Sequence, residues 1–292
     1  MLPKGNFPEK VYLNGEIISA EDAKISVFDR GFLFGDGIYE VMMQLEHGIF
    51  YKKAHLDRLQ DNLDKIGINY NIEEIDDHLE ELLAASNLKE ASCLIYMQVT
   101  RGVAPRKHSY PKGVPPTAMM YALPYTLPLI NPKKMKAVLE PDFRWHRCDI
   151  KSISLLGNIM TNEMAMEAST DEAALVRDGV VTEGSHTNIF FVKSGTLITH
   201  PANEHILNGI TRQIVLKLCD DLDIPVIERP VAQNEIPTMD EAFFTGTTTQ
   251  VASIAQLGPH TFHNNDEIGM VTGKLQEALA QLRSSDSSEK VL

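Results

Sequence analysis

Tyr121-Ala122-Leu123-Pro124-Tyr125-Thr126-Leu127-Pro128-Leu129-Ile130-Asn131-Pro132-Lys133-Lys134 places three prolines within fourteen residues. Proline lacks a backbone N–H and fixes its own φ, so this run denies both a helix and a central strand. It predicts a linker, placed at 125–132, between a small N-terminal domain over 1–124 and a larger C-terminal domain over 133–292 that includes Lys151. To its left, Val11-Tyr12-Leu13-Asn14-Gly15-Glu16-Ile17-Ile18 sets an Asn-Gly pair between apolar residues, the strongest short hairpin signal. Ile38 to Leu45 and Gly48 to Tyr51 read as a second pair of strands. Leu56, Leu59, Leu63 and Ile66 recur at helical spacing, as do Ile75, Leu79, Leu82 and Leu83, and Leu94 to Arg101 reads as a strand. To its right, strands are expected near 135–140, 172–177, 188–193 and 196–199, and helices near 157–168, 209–222 and 271–283. The tail from about 284 is rich in Ser and charge and reads as frayed. Strands and helices mixed on both sides of the prolines give an α+β (mixed α/β) chain of two domains.

Composition narrows the function. In 292 residues, a 43% hydrophobic and 23% charged share is that of an ordinary folded chain, which excludes collagenous, disordered and disulfide-scaffold classes. No window approaches the run of about 18 apolar residues a membrane span requires. The start, Met1-Leu2-Pro3-Lys4-Gly5-Asn6, lacks the apolar core of a signal peptide, so a cytoplasmic location is expected. Forty acidic against 27 basic residues give a net charge of −13, which disfavours nucleic acid or an anionic membrane as the main partner. Cys93, Cys148 and Cys219 are widely spaced and the histidines scattered, so neither a disulfide framework nor a metal site is expected.

Six candidates for chemistry stand out. Asn208-Gly209-Ile210-Thr211-Arg212 opens an amphipathic helix, whose free N–H groups and dipole suit a phosphate; the segment reads equally as an ordinary N-cap. Thr245-Gly246-Thr247-Thr248-Thr249 follows an apolar run and offers hydroxyls to phosphate oxygens, or is a plain turn. In Cys148-Asp149-Ile150-Lys151-Ser152, an extended stretch would set Asp149 and Lys151 on one face, and a lysine in a pocket can form an imine with a carbonyl compound. Glu183, beside Gly184, reads as a carboxylate at a turn. Arg101 and Arg106-Lys107-His108 put cations after a strand, as a carboxylate site or a solvated basic loop; Arg58 is by itself a surface charge. A phosphate cradle, an imine lysine and a carboxylate site together call for a phosphorylated aldehyde acting on an amino acid.

The order and spacing of these blocks carry a resemblance. Asp29-Arg30-Gly31 with Phe34-Gly35-Asp36-Gly37-Ile38-Tyr39-Glu40, His55-Leu56-Asp57-Arg58-Leu59, Gln98-Val99-Thr100-Arg101-Gly102, Arg147-Cys148-Asp149-Ile150-Lys151-Ser152, Val181-Thr182-Glu183-Gly184-Ser185 and Ile206-Leu207-Asn208-Gly209-Ile210-Thr211-Arg212 resemble the class IV, fold-type IV, pyridoxal-phosphate aminotransferases over about residues 10–282. Within them the chain looks like the bacterial D-amino-acid (D-alanine) aminotransferases. The resemblance implies pyridoxal 5′-phosphate as cofactor and a two-domain fold-type IV enzyme. Lys151 would be the catalytic lysine, bonding the cofactor's aldehyde and then moving a proton between Cα and C4′. Glu183 would pair with the pyridine nitrogen. Arg58, the backbone amides of Ile210 and Thr211, and Thr247 would hold the phosphate, with Ser185 beside that end and Leu207 against the ring face away from the substrate. Tyr39, Arg106 and His108 would trap the substrate carboxylate, the last two reaching in from a neighbouring subunit of a homodimer.

The implied reaction is ping-pong transamination of D-amino acids, D-alanine and 2-oxoglutarate giving pyruvate and D-glutamate. Branched-chain L-amino-acid and R-amine aminotransferases and aminodeoxychorismate lyase are the alternatives on the same fold. The branched-chain pattern Tyr-x-Gly-x-Arg is not met, since Tyr96-Met97-Gln98-Val99-Thr100-Arg101 has no glycine at its middle position. Ser185-His186-Thr187 carries a histidine where a small hydroxyl residue is usual, and Lys107 adds a charge inside the trap.

Overall fold

Asn14 and Gly15 both take left-handed backbone, φ 51° and 96°, and turn β1 (Lys10–Leu13) back onto β2 (Glu16–Ser19). This is the geometry a two-residue Asn-Gly turn requires. The structure, a computed structural model, describes residues 5–130, 134–262, 268–285 and 292. The opening residues 1–4, linker residues 131–132 and tail residues 286–291 of the expectations above lie outside the described residues.

The chain divides into two units, one comprising the chain up to Leu127 together with Ile150–Ser154, the other Pro128–Asp149 with Leu155–Arg283. In the first unit, β1 and β2 are followed by α1 (Arg30–Phe34), β3 (Gly37–Leu45), β4 (Gly48–Ile49), α2 (Lys52–Lys65), α3 (Glu73–Ala85), β5 (Cys93–Thr100) and β6 (Thr117–Pro124). The sheet order is β2-β1-β6-β5-β3-β4. Along β5, Cys93, Ile95, Met97 and Val99 are buried in alternation. They meet Leu56, Leu59 and Leu63 of α2 and Ile75, Leu79, Leu82 and Leu83 of α3 in one apolar core. Each such leucine contributes about 1.5–3 kcal/mol on burial. Glu73, Glu74 and Asp76 in the first turn of α3 complement its dipole.

Two expectations are corrected here. Residues 121–124, read as the start of a proline-rich break, complete β6, which runs between β1 and β5. Pro124 is tolerated because it is the last residue of the strand, opposite Cys93, where the ladder ends. Lys151, expected within the C-terminal domain, belongs with the first unit. Ser152 forms a β-bridge with Ile38, Tyr39 N–H donates to Lys151 O at 3.1 Å, Ile153 N–H donates to Gly37 O at 3.1 Å, and Ile150 joins the first core.

The second unit contains β7 (Met135–Pro141), α4 (Leu156–Glu167), β8 (Glu172–Arg177), β9 (Val180–Gly184), β10 (Asn188–Lys193), β11 (Thr196–Thr199), α5 (Ile210–Asp221), β12 (Val226–Glu228), β13 (Val231–Ala232), a 3₁₀ turn over Gln233–Thr238, β14 (Glu241–Gly246), β15 (Gln250–Leu257), β16 (His260–Thr261) and α6 (Met270–Arg283). Its strands run β12-β11-β10-β14-β15-β7-β8-β9-β13, with β16 paired to β15. Ile189, Phe191, Ile198, Ala242, Phe244, Ile254 and Leu257 form its main core, and α5 and α6 pack on each other and on β14. No helix among the described residues is long and apolar enough to cross a membrane.

Candidate active site

Strand alternation in the first unit separates two groups of functional side chains. On β3, Ile38, Glu40, Met42 and Gln44 are fully buried in alternation, while Tyr39 between them is only half-buried. Tyr39 lies against Tyr96 of β5, ring centroids 5.8 Å apart, and Tyr96 against Tyr121 of β6 at 5.1 Å. The three rings form a stacked column across the sheet. Lys151 Nζ sits 4.1 Å from the centroid of Tyr39, and among the described residues no carboxylate pairs with it. Gln98, opposite Tyr39 in the ladder, accepts a hydrogen bond from Tyr96 OH at 2.8 Å.

Glu40 is fully buried against α2. Arg58 Nε and Nη2 donate to its two oxygens at 2.9 and 2.7 Å, and His55 Nδ1 lies 3.1 Å from Oε1. Burial pulls the Glu40 carboxyl upward, but the Arg58 charge and the His55 contact outweigh it and hold it well below the usual carboxylate range. Burial lowers the pKa of His55 against the pull of Glu40, which keeps the imidazole neutral. One helical turn on from Arg58, Asn62 Nδ2 donates to Arg58 O at 2.7 Å, and its Oδ1 accepts Lys151 N–H at 2.7 Å. The sequence therefore sets Lys151 and Arg58 on one rigid frame. Gly35 is required within it: φ is +66°, and a Cβ there would stand 2.3 Å from Ser154 Oγ.

In the second unit, Glu183 is a strand residue of β9 and not at a turn. It is 4% exposed and accepts from Arg144 Nη1 at 2.7 Å, Asn188 Nδ2 at 2.9 Å and Leu207 N–H at 3.1 Å. Burial pushes its carboxyl up to about 7 against the opposing Arg144 charge. Arg144 is itself held by Asp142, with Nε and Nη2 each at 2.9 Å, and Asp142 also receives Arg177 at 3.0 Å. Asn188 Nδ2 reaches Leu207 O at 2.8 Å, so one amide ties β9, β10 and the segment leading into α5. A Cβ on Gly209 would stand 2.2 Å from Asn188 Oδ1. Gly209 is therefore both the N-cap of α5 and a point of close approach, and it leaves the Ile210 and Thr211 end without a side-chain cap. Thr247 lies in the turn joining β14 to β15, and a Cβ on Gly246 would be 3.7 Å from Thr187 Cγ2. Ser185 is 1% exposed; its hydroxyl donates to Glu172 at 2.5 Å and lies 3.0 Å from His186 Nδ1.

Over residues 37–257 the sequence matches the amino-transferase class IV family. The chain belongs to the class IV aminotransferases. It is similar to the D-alanine aminotransferase of Staphylococcus epidermidis, 36% identical over 95% of this chain and 99% of the relative. It is also similar to that of Bacillus licheniformis, 37% identical over 97% and 100%. Among solved structures, a branched-chain aminotransferase from Thermoproteus uzoniensis superposes with a TM-score of 0.84 at 27% identity, covering 97% of each chain. The branched-chain enzyme of Escherichia coli gives 0.86 at 23% over 97% of each, a likeness of fold alone. These neighbours establish the fold-type IV, α+β architecture.

Pyridoxal 5′-phosphate is the cofactor of this aminotransferase. The chemistry within each unit fits it: in the first, a primary amine on an aromatic face; in the second, a buried carboxylate hydrogen-bonded to the segment that leads into a helix start with no side-chain cap. Among the described residues no cluster of His, Cys, Asp or Glu is placed to hold a metal ion. Within the first unit Lys151, Tyr39 and Arg58 stand on one frame, while Arg106 and His108 lie on an exposed loop beside Phe34. Within the second, Glu183 and Leu207 are in direct hydrogen-bond contact and Leu207 leads into the uncapped start of α5. Glu40, Asn62, Arg144 and Asn188 were missed by sequence reasoning. For Glu183 a signal existed: Asp178-Gly179 is a second two-residue turn with both φ positive, 50° and 79°, so 180–184 is the return strand of a hairpin.

Proposed function

We propose that this aminotransferase acts on D-amino acids, converting D-alanine and 2-oxoglutarate to pyruvate and D-glutamate in ping-pong order. The observation that carries the reading is the pair Arg106 and His108, set together on one ring, facing solvent, with no carboxylate partner among the described residues. Cations so placed suit a substrate carboxylate. The relatives at 36–37% identity that are D-alanine aminotransferases support the same substrate class. Gln98, filling the position opposite Tyr39, speaks against the branched-chain pattern, which has a glycine there.

Pyridoxal phosphate supplies an aldehyde that takes the amino group and a ring that accepts the charge left when the Cα–H bond breaks. With the cofactor bound, Lys151 Nζ would hold its aldehyde carbon until the substrate's amino group displaces it, and the freed amine would then carry a proton from substrate Cα to C4′. Glu183 would keep a proton on the ring nitrogen. Arg58, the amides of Ile210 and Thr211, and Thr247 would hold the phosphate, with Ser185 beside that end and its hydroxyl donated to Glu172, and Leu207 would pack on the ring. Tyr39, Arg106 and His108 fix the carboxylate, and so decide which bond at Cα stands perpendicular to the ring and which enantiomer reacts. Arg106 and His108 would serve the site of a second copy, which makes a homodimer the working unit. We further propose a small N-terminal domain, a linker near 125–132, a larger C-terminal domain and a cytoplasmic location.

The test is a single half-reaction. The cofactor-loaded protein is mixed separately with D-alanine, L-alanine, L-leucine and an R-amine, and the absorbance of the lysine-bound cofactor is followed. Loss of that band with D-alanine alone is expected; loss with L-leucine and not D-alanine would overturn the reading.

A further inference from the structure

Phe34, the last residue of α1, gathers three basic side chains. The Arg30 guanidinium carbon lies 4.7 Å from its ring centroid, that of Arg106 lies 5.1 Å away, and the His108 ring is 5.8 Å off at a 47° tilt. Two guanidinium groups on one ring repel unless one is neutralised, and here one is. Arg30 is 3% exposed, and its Nε donates to Asp36 at 2.7 Å. Asp36 also receives Arg101 at 2.9 and 3.0 Å. The charge of Arg30 is therefore spent internally, while Arg106 on the same ring has no anionic partner among the described residues.

Arg30 has a second task. Its Nη1 donates to Lys107 O at 2.6 Å, which pins the peptide between Arg106 and His108. Beyond it, Tyr110 lies over Arg101 at 3.6 Å, and ahead of it Val103 bridges Asp29 and Ala104 N–H donates to Phe28 O at 3.2 Å. An exposed loop with no regular ladder is thus held at its start, middle and end by the buried Arg30–Asp36–Arg101 cluster and its neighbours. Its two functional side chains both lie against the Phe34 ring.

We infer that Phe34 and Arg30 are positioning residues of the carboxylate site: they set the spacing and direction of Arg106 and His108 without touching the substrate. The inference rests on the proposed role of Arg106 and His108. An aromatic ring holds a guanidinium by cation–π attraction and an imidazole by a tilted ring–ring contact, and an aliphatic residue of similar bulk does neither.

The test compares wild-type holoenzyme with Phe34→Leu, Phe34→Tyr, Arg30→Lys and Arg106→Gln. Three quantities are measured: kcat and KM for D-alanine and 2-oxoglutarate, Kd for propionate by calorimetry, and thermal melting of the loaded protein. Phe34→Leu is expected to raise KM and the propionate Kd roughly three- to tenfold, as loss of a cation–π contact implies. Its kcat should stay within about twofold, with melting and cofactor absorbance retained and Phe34→Tyr restoring wild-type values. Arg30→Lys keeps a charge for Asp36 but loses the planar fork that also reaches Lys107 O, so it should show the same split even if Phe34→Leu fails to fold. KM and Kd at wild-type values in Phe34→Leu and Arg30→Lys, beside a raised KM in Arg106→Gln, would overturn the positioning role alone. An unchanged KM in Arg106→Gln would overturn the carboxylate reading and this inference with it. A fall of kcat in step with a fall in melting temperature in both positioning variants would reduce them to structural residues.

Discussion

Asn62 holds Lys151 by its backbone: the Asn62 Oδ1 accepts the Lys151 N–H at 2.7 Å, while the Asn62 Nδ2 caps the carbonyl of Arg58. Both amide ends are used, so rotating or removing this buried side chain breaks two hydrogen bonds at once. Asn62→Leu should destabilise the protein by about 1–3 kcal/mol, the cost of an unmade buried hydrogen bond. It should also lower kcat more than it raises KM, because what moves is the lysine and not the carboxylate site. Denaturant unfolding and steady-state kinetics on the same preparation check this; a variant as stable and as fast as wild type would remove Asn62 from the frame.

Lys151→Ala removes the amine proposed to move the Cα proton. Turnover should fall by roughly 10²–10⁴ or more, the range a positioned general base supplies. Rapid mixing with D-alanine is the decisive observation, and near-normal single-turnover rates would refute the assignment.

Glu183 makes stability depend on pH in a stated direction. Its folded pKa of about 7 lies above the ordinary 4.5, so its contribution is fully present below 4.5 and is lost as pH rises through 7. In cofactor-free protein, wild type should therefore gain about 3 kcal/mol relative to Glu183→Gln as pH falls across that window, the shift converted at about 1.4 kcal/mol per unit. Urea midpoints of the two proteins at both ends of the window measure it. A difference independent of pH would show that Glu183 stays ionised throughout.

Glu40 and His55 act in the opposite sense. Both have folded pKa values below their ordinary 4.5 and 6.5, so their stabilisation is present above those values and fades as pH falls. Loss should begin near 6.5, with His55, and deepen below 4.5, with Glu40. Glu40→Gln should cost about 3 kcal/mol at neutral pH by leaving Arg58 without its carboxylate. The same variant should flatten the acid limb of a melting-temperature profile, and a profile superimposable on wild type would contradict the ion-pair account.

Much of the fold was legible where one physical signal dominates. The Asn14-Gly15 turn, the leucine spacing of α2 and α3 and the uncapped glycine start of α5 all appear where local chemistry predicts them. What was lost depended on distant pairing. β6 went unread: Pro124, which does end a strand, drew residues 121–124 into the proline-rich run, and Thr117–Met120 were assigned to no element. Glu40 carried no signal of its own, since it gains its role only when period-two alternation turns it toward α2 and one helical turn brings Arg58 and His55 to meet it. Arg144 and Asn188 are ordinary polar residues until the β8–β9 hairpin folds Glu183 between them. Lys151 and Glu183 were marked by sequence; the residues that hold them were not.

Residues 150–154 join the first unit although the chain has already entered the second. In a growing polypeptide, the sheet that receives them cannot be completed by its own contiguous segment. When residue 127 has been synthesised, the Ile38 edge still lacks Ser152, and the apolar core still lacks Ile150. Completion waits until residue 154 has left the ribosome. A fragment cut at the boundary would for the same reason carry an open edge where the lysine segment belongs, and dissecting this enzyme into halves would separate Lys151 from the strand that anchors it.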